Sequence, residues 1–226
     1  MDVVAQYQVG APIHAAFIGN SVACGFNGAG WRSIPAILMT NGKIKEELRE
    51  SDIPQSAPTK LRALLKSRNP GSTVVNLCGS GWDTNDHLGI KTEKSGVVGP
   101  TNTIDDVRRL KTRPSVVFLP LQINDANHGL SVDTFTNNTN RIITELEALG
   151  IVVVMVKENY TKIQGYPEFI VRADSIAKAR NLSVINTYIP SKKSDLLLSD
   201  YAHLNAWGHN LIFGEYVKWF NFYWQP

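Results

Sequence analysis

Ile13-His14-Ala15-Ala16-Phe17-Ile18-Gly19-Asn20-Ser21 is the stretch whose reading decides the fold. A nearly unbroken apolar run leads there into a glycine and two small polar residues. A strand with one face in water alternates apolar and polar side chains, whereas a run apolar at consecutive positions reads as a strand covered on both faces, as in parallel sheets. Four further runs have the same character, at residues 73–77, 115–121, 151–156 and 182–186. Helical patterns separate them. Residues 57–67 place Leu61, Leu64 and Leu65 on one side and Lys60, Arg62 and Lys66 largely on the other. Residues 104–111 form a shorter helix, residues 132–149 a long one that stops at Gly150, and 169–180 and 205–220 the last two. Strand and helix alternate five times, which predicts an α/β fold around a central parallel sheet. No repeat, low-complexity tract or Pro/Ser-rich linker divides the 226 residues, so one domain over 1–226 is expected.

The composition excludes several classes of protein. Hydrophobic residues at 43% and charged residues at 19% are globular values, not those of a disordered chain. The net charge of +3 is small and the Lys and Arg are scattered. The densest basic stretches, Lys91, Lys94 and Arg108-Arg109-Lys111, read as solvated helix surface, so no nucleic-acid partner is expected. No stretch approaches the ~20 apolar residues of a membrane span. The N-terminus, Met1-Asp2-Val3-Val4-Ala5-Gln6, has no basic segment followed by an apolar run, which leaves a cytoplasmic chain or a secreted one whose signal has been removed. Cys24 and Cys78 are too few for a disulfide framework and lack metal-ligand spacing. They read as buried small hydrophobes, with pairing between them left open.

Sheets of this kind carry their sites at the carboxyl ends of the strands. Four polar blocks follow that rule. After the first run comes Gly19-Asn20-Ser21, a serine projecting from a tight turn. After the second comes Asn76-Leu77-Cys78-Gly79-Ser80-Gly81, whose glycines let backbone N–H groups approach a ligand. After the third comes Gln122-Ile123-Asn124-Asp125, where a side-chain amide could serve as an oxyanion donor. Near the C-terminus stands Asp200-Tyr201-Ala202-His203, followed by Leu204-Asn205-Ala206-Trp207-Gly208-His209. An Asp three residues ahead of a His can fold back onto one ring nitrogen and turn the other toward a nucleophile. Asn205 is placed to cap the helix that follows.

These blocks, in this order, resemble the SGNH hydrolase superfamily, the GDSL-type esterases and lipases. The family pattern runs Gly-Asp-Ser, then Asn with Gly five residues on, then Gly-x-Asn-Asp, then Asp-x-x-His. The resemblance spans residues 19 to 209 and departs at two positions: Asn20 stands for the family's Asp and Gln122 for its first Gly in the third block. Asn makes similar turn hydrogen bonds, and the larger Gln122 is expected to narrow the pocket or touch the acyl group.

The resemblance implies a three-layer α/β/α, flavodoxin-like sandwich with a five-stranded parallel sheet. It also implies a serine esterase with Ser21 as nucleophile, His203 as base, Asp200 as its orienting acid, and Gly81 and Asn124 as oxyanion donors. No cofactor and no metal is expected. The substrate it implies is a small-molecule or carbohydrate ester, with short acyl groups and O-acetyl carbohydrate foremost. A lipase, lysophospholipase or thioesterase of the same superfamily, or an O-acyltransferase using a sugar hydroxyl as acceptor, are the alternatives. His209 and His14 read as structural, and His87 and His128 fall near the expected cleft. The aromatic tail Trp219-Phe220-Asn221-Phe222-Tyr223-Trp224 reads as core packing of the last helix.

Overall fold

All five apolar runs become strands, and all five pair in one parallel sheet. The computed structural model describes residues 3–25, 53–90, 102–192 and 194–222. Lys91, Lys94, Tyr223 and Trp224 lie outside the described residues. The strands are β1 (His14–Gly19), β2 (Thr73–Cys78), β3 (Val116–Leu119), β4 (Val152–Lys157) and β5 (Ser183–Asn186), in the order β2-β1-β3-β4-β5. In this flavodoxin-like order the sequence-neighbour relation reverses between β1 and β3, where such sheets open a crevice at their carboxyl edge.

The consecutive apolarity has its predicted cause, since alternate residues of each strand enter two separate cores. Ala15 and Phe17 of β1, Val116 and Phe118 of β3, and Val154 and Val156 of β4 face one side. They pack there against α1 (Val3–Gln8), the helix Ala57–Arg68 and the last helix, Ala206–Phe222. Ala16, Ile18, Val117, Leu119, Val153 and Met155 face the other side, against the helices Thr103–Arg109, Val132–Ala148 and Tyr166–Ala179. The fold is therefore a three-layer α/β/α sandwich. On the first side Phe118 is the hub. Its ring lies 5.0 Å from Phe17, 5.4 Å from Tyr216 and 5.7 Å from Trp219, so the last helix is seated by aromatic contacts with the sheet centre. Trp219 and Phe220 thus pack into the core as expected.

Three local readings change. The third strand stops at Leu119 because Pro120 has no N–H to donate to a ladder, and Gln122–Asn127 forms a short helix where a strand end was expected. Arg62 is not on the solvated side of its helix: it is buried, and its Nε donates to the Val74 carbonyl at 3.2 Å. Cys24 and Cys78 are joined in a disulfide with Cα atoms 5.5 Å apart. Parallel pairing sets Gly19 beside Cys78, and Asn76 Nδ2 donates to the Ala23 carbonyl, so the turn after β1 folds back over the end of β2. That juxtaposition is tertiary, which is why spacing alone left the pair open.

The bridge closes a loop between residues 54 apart. Reducing it, or replacing both cysteines by Ser, should lower stability by roughly 2–4 kcal/mol, chiefly by releasing chain entropy in the unfolded state. Urea unfolding with and without reductant measures this, and coincident midpoints would contradict it.

Candidate active site

The turn after β1 is built by Asn20. Its Oδ1 accepts from Val22 N at 3.0 Å and so caps a four-residue helix, Ser21–Cys24. Gly19 has a steric reason to be glycine, since a Cβ there would lie 2.7 Å from Pro120 Cγ and 2.9 Å from Ala23 Cβ. Ser21, the first helical residue, is nearly buried, and its Oγ lies 2.9 Å from His203 Nε2.

His203 sits in the loop ahead of the last helix. Asp200 Oδ1 accepts from the backbone N–H of Ala202 at 2.8 Å and of His203 at 2.7 Å, while Oδ2 meets His203 Nδ1 at 2.7 Å. Burial pushes the Asp200 carboxyl up, but the three hydrogen bonds outweigh it and hold the group below the usual range. An ionised Asp200 can only accept, so Nδ1 carries the proton and donates it in a hydrogen bond, which leaves Nε2 as acceptor toward the Ser21 hydroxyl. Asn205 caps the last helix through Trp207 N and Gly208 N, as its position predicted. Gly208 passes close under the loop, where a Cβ would fall 2.5 Å from the Leu197 carbonyl.

The second and third blocks close against each other. Asn124 Nδ2 donates to the Trp82 carbonyl at 2.8 Å. Asp125 is fully buried and accepts from Thr84 N at 3.0 Å and Thr84 Oγ1 at 2.5 Å. Burial raises its pKa well above the carboxylate range. Gly81 has a left-handed φ of 78°, which only glycine adopts readily. Asn76 is committed to Ala23 and is a tie between blocks.

Gln122 does not face the cleft. It is fully buried, its Oε1 accepts from Glu158 N at 2.9 Å and its Nε2 lies against Met155 Sδ. The expected narrowing of the pocket is therefore corrected: the side chain turns inward because the carboxyl end of β4 offers it an N–H to accept from. His87 is likewise buried, with Nδ1 on Thr103 Oγ1 and its ring edge-on to Trp82. His128 Nδ1 pairs with Asp83 at 2.9 Å. His14 Nδ1 meets Thr73 Oγ1 at the start of the sheet, and His209 is fully buried.

Two residues escaped the sequence reading, Glu158 and Asn159, which follow β4 directly. Glu158 is buried, accepts from Asn20 Nδ2 at 2.7 Å and from Ile123 N at 2.8 Å, and is pushed up to about 7 by burial against those hydrogen bonds. Asn159 Nδ2 donates to the Ala202 carbonyl beside His203. The strand-end rule that selected the other blocks selects these too, once β4 is extended to Lys157. Among the described residues, no cluster of His, Cys, Asp or Glu could hold a metal ion, and no helix is long and apolar enough to cross a membrane.

No known family profile matches the chain, and no curated protein does. Solved structures do. An acetylxylan esterase, Axe2 from Geobacillus stearothermophilus, superposes with a TM-score of 0.66 at 17% identity, covering 95% of this chain and 96% of that one. The psychrotrophic esterase EstA from Pseudoalteromonas sp. gives 0.61 at 17% identity over 92% and 98%. A member of the lipolytic protein G-D-S-L family from Veillonella parvula gives 0.60 at 12% identity over 91% and 97%. At these identities the likeness is one of fold.

Burial lowers the pKa of His87 to about 4; the charge of Asp83 and the Gly19 carbonyl act the other way without offsetting it. Folding therefore excludes a proton that the unfolded chain binds below about 6.5. The stability His87 contributes is complete above that pH and is lost as pH falls toward 4, at up to about 1.4 kcal/mol per pH unit. Urea unfolding of His87→Gln beside the parent protein should show their stability gap narrowing between pH 7 and pH 4.5. A gap independent of pH contradicts this.

Proposed function

We propose that this chain, which has the fold of the SGNH hydrolases, is a serine esterase that cleaves short-chain carboxylic esters. The observation that carries the reading is the hydrogen-bonded line Ser21 Oγ, His203 Nε2, His203 Nδ1, Asp200 Oδ2, with links of 2.9 and 2.7 Å. Nucleophile, base and orienting acid are in reach of one another, with the acid held ionised by two backbone donors.

In this mechanism His203 Nε2 takes the Ser21 proton as Oγ attacks the ester carbonyl carbon. Asp200 keeps the ring oriented and stabilises the imidazolium that forms. The carbonyl oxygen becomes an oxyanion, received by the backbone N–H groups of Ser21 and Gly81 and by the Asn124 amide. One Asn124 hydrogen goes to the Trp82 carbonyl, which aims the amide, and the second is the one we assign to the oxyanion. The imidazolium then protonates the leaving alcohol oxygen. Water, deprotonated by the same nitrogen, releases the acid and restores Ser21. No step calls for a cofactor.

The substrate we favour is an O-acetyl group on carbohydrate. Tyr201 and Trp207, both exposed, flank His203 in the sequence and offer flat apolar faces on which a sugar ring can pack. The acetylxylan esterase among the structural neighbours supports the same class.

Ser21→Ala should remove esterase activity, with a loss of at least about 10³-fold, while leaving the unfolding transition in place. Asn124→Ala should lower turnover about 10²- to 10³-fold, roughly 2.7–4 kcal/mol of transition-state stabilisation. A panel of p-nitrophenyl esters from acetate upward, beside acetylated polysaccharide with and without a free sugar acceptor, reads both variants and the substrate. Undiminished hydrolysis by clean Ser21→Ala would sink the assignment. Preference for acyl chains of about eight carbons or more would replace the carbohydrate reading by a lipolytic one, and acetyl transfer to the sugar would mark an acyltransferase.

A further inference from the structure

The two departures from the SGNH pattern, Asn20 and Gln122, lie far apart in sequence, yet both side chains bond to one residue. Asn20 Nδ2 donates to Glu158 Oε1 at 2.7 Å, and Gln122 Oε1 accepts from Glu158 N at 2.9 Å. Glu158 Oε2 accepts from Ile123 N, in the first turn of the helix that carries Asn124. The other end of the Asn20 side chain caps the helix that begins at Ser21. One buried carboxylate thus spans the nucleophile turn and the oxyanion helix.

Resting on the esterase reading, we propose that Glu158 is a positioning residue that sets Ser21 and Asn124 in register, and that residue 20 is Asn because its partner is an acceptor. An Asp at that position would set two carboxylates against each other at hydrogen-bond distance. Glu158 works in its ionised form, since a proton on Oε1 opposes the Asn20 amide hydrogens and a proton on Oε2 opposes Ile123 N–H. Among the described residues, Asp125 of the oxyanion helix, Tyr166 of the helix Tyr166–Ala179 and Tyr216 of the last helix interact with it electrostatically. Lys157, next in the chain, is committed to Asp174. Burial outweighs the hydrogen bonds that favour the ionised form and pushes the carboxyl up to about 7. Ionisation is then complete only above that pH, and the clamp loosens as pH falls through it.

The donor pattern makes a swap experiment decisive. In Glu158→Gln the new amide must face either Ile123 N–H or the Asn20 amide, so one bond is lost at every pH, and kcat should fall by up to about 10²-fold. In Asn20→Asp the two carboxylates share a proton, so activity relative to the parent should hold at low pH and decline on the alkaline side as that proton leaves. In the double variant, Asn20→Asp with Glu158→Gln, the introduced carboxylate accepts from the introduced amide nitrogen. The oxygen of that amide accepts from Ile123 N, so every bond is remade with the polarity of the first reversed.

The parent enzyme should show an acid limb in log kcat/KM that steepens to two protons, one of them taken up by Glu158. Glu158→Gln should show one proton only, whereas the double variant should regain the second through the carboxylate introduced at position 20 and recover most of the turnover. Overturning results are a double variant no better than the poorer single, or a one-proton limb in the parent. That last measurement decides the matter should a single variant fail to fold. Ser21→Ala is assayed alongside. Activity surviving it overturns the esterase reading, not the clamp, which the same cycle then tests by urea unfolding at pH 8: both singles lower the midpoint and the double restores it, and additive losses reject the clamp.

Discussion

β1 lies at the centre of everything this chain arranges, because it pairs in parallel on both edges, with β2 and with β3. Parallel pairing in register brings the carboxyl ends of three strands to one level. The loops that leave them therefore emerge side by side: Ser21 after β1, Gly81 after β2 and Asn124 after β3. An antiparallel partner on either edge would have sent one of these loops to the opposite end of the sheet. The buried faces follow from the same constraint. Crossovers between parallel strands place helices on both sides, and the alternate side chains of β1, β3 and β4 fill two cores accordingly.

The fourth block reaches this edge by a different route. The last helix is seated through Tyr216, Trp219 and Phe220 against Phe118 in the sheet centre. That docking delivers the Asp200–His203 loop to Ser21 across 182 residues of sequence. Asn205 and Gly208 then hold the loop to the helix start, and Asn159 ties it to the end of β4. Apolar packing sets the coarse position, and short polar ties set the fine one.

Polar groups withdrawn from water at the sheet's edge need partners, and meeting that demand knits the blocks together. Asp125 takes two hydrogen bonds from Thr84, Trp82 takes one from Asn124, and Glu158 joins the turn at Asn20 to the helix at Ile123. Each tie crosses between segments that the chain presents separately. The disulfide does the same covalently, fixing the end of the helix Ser21–Cys24 to the end of β2.

Much of this was legible in the residues alone. Consecutive apolar positions specify a doubly covered strand, because alternate side chains must both be buried, and the strand-helix alternation then specifies the layers. The spacing Asp200-x-x-His203 specifies a local geometry, since three residues suffice for the carboxylate to reach Nδ1. What the sequence could not settle depends on pairs distant along the chain. Gln122 reads as a pocket residue until the N–H of Glu158 is seen to claim it. Arg62 reads as surface until the Val74 carbonyl receives it, and the pairing of Cys24 with Cys78 stays open until β1 and β2 align. Local periodicity records which face of an element is apolar. Which polar atom meets which across two elements is decided only when the sheet brings their ends together.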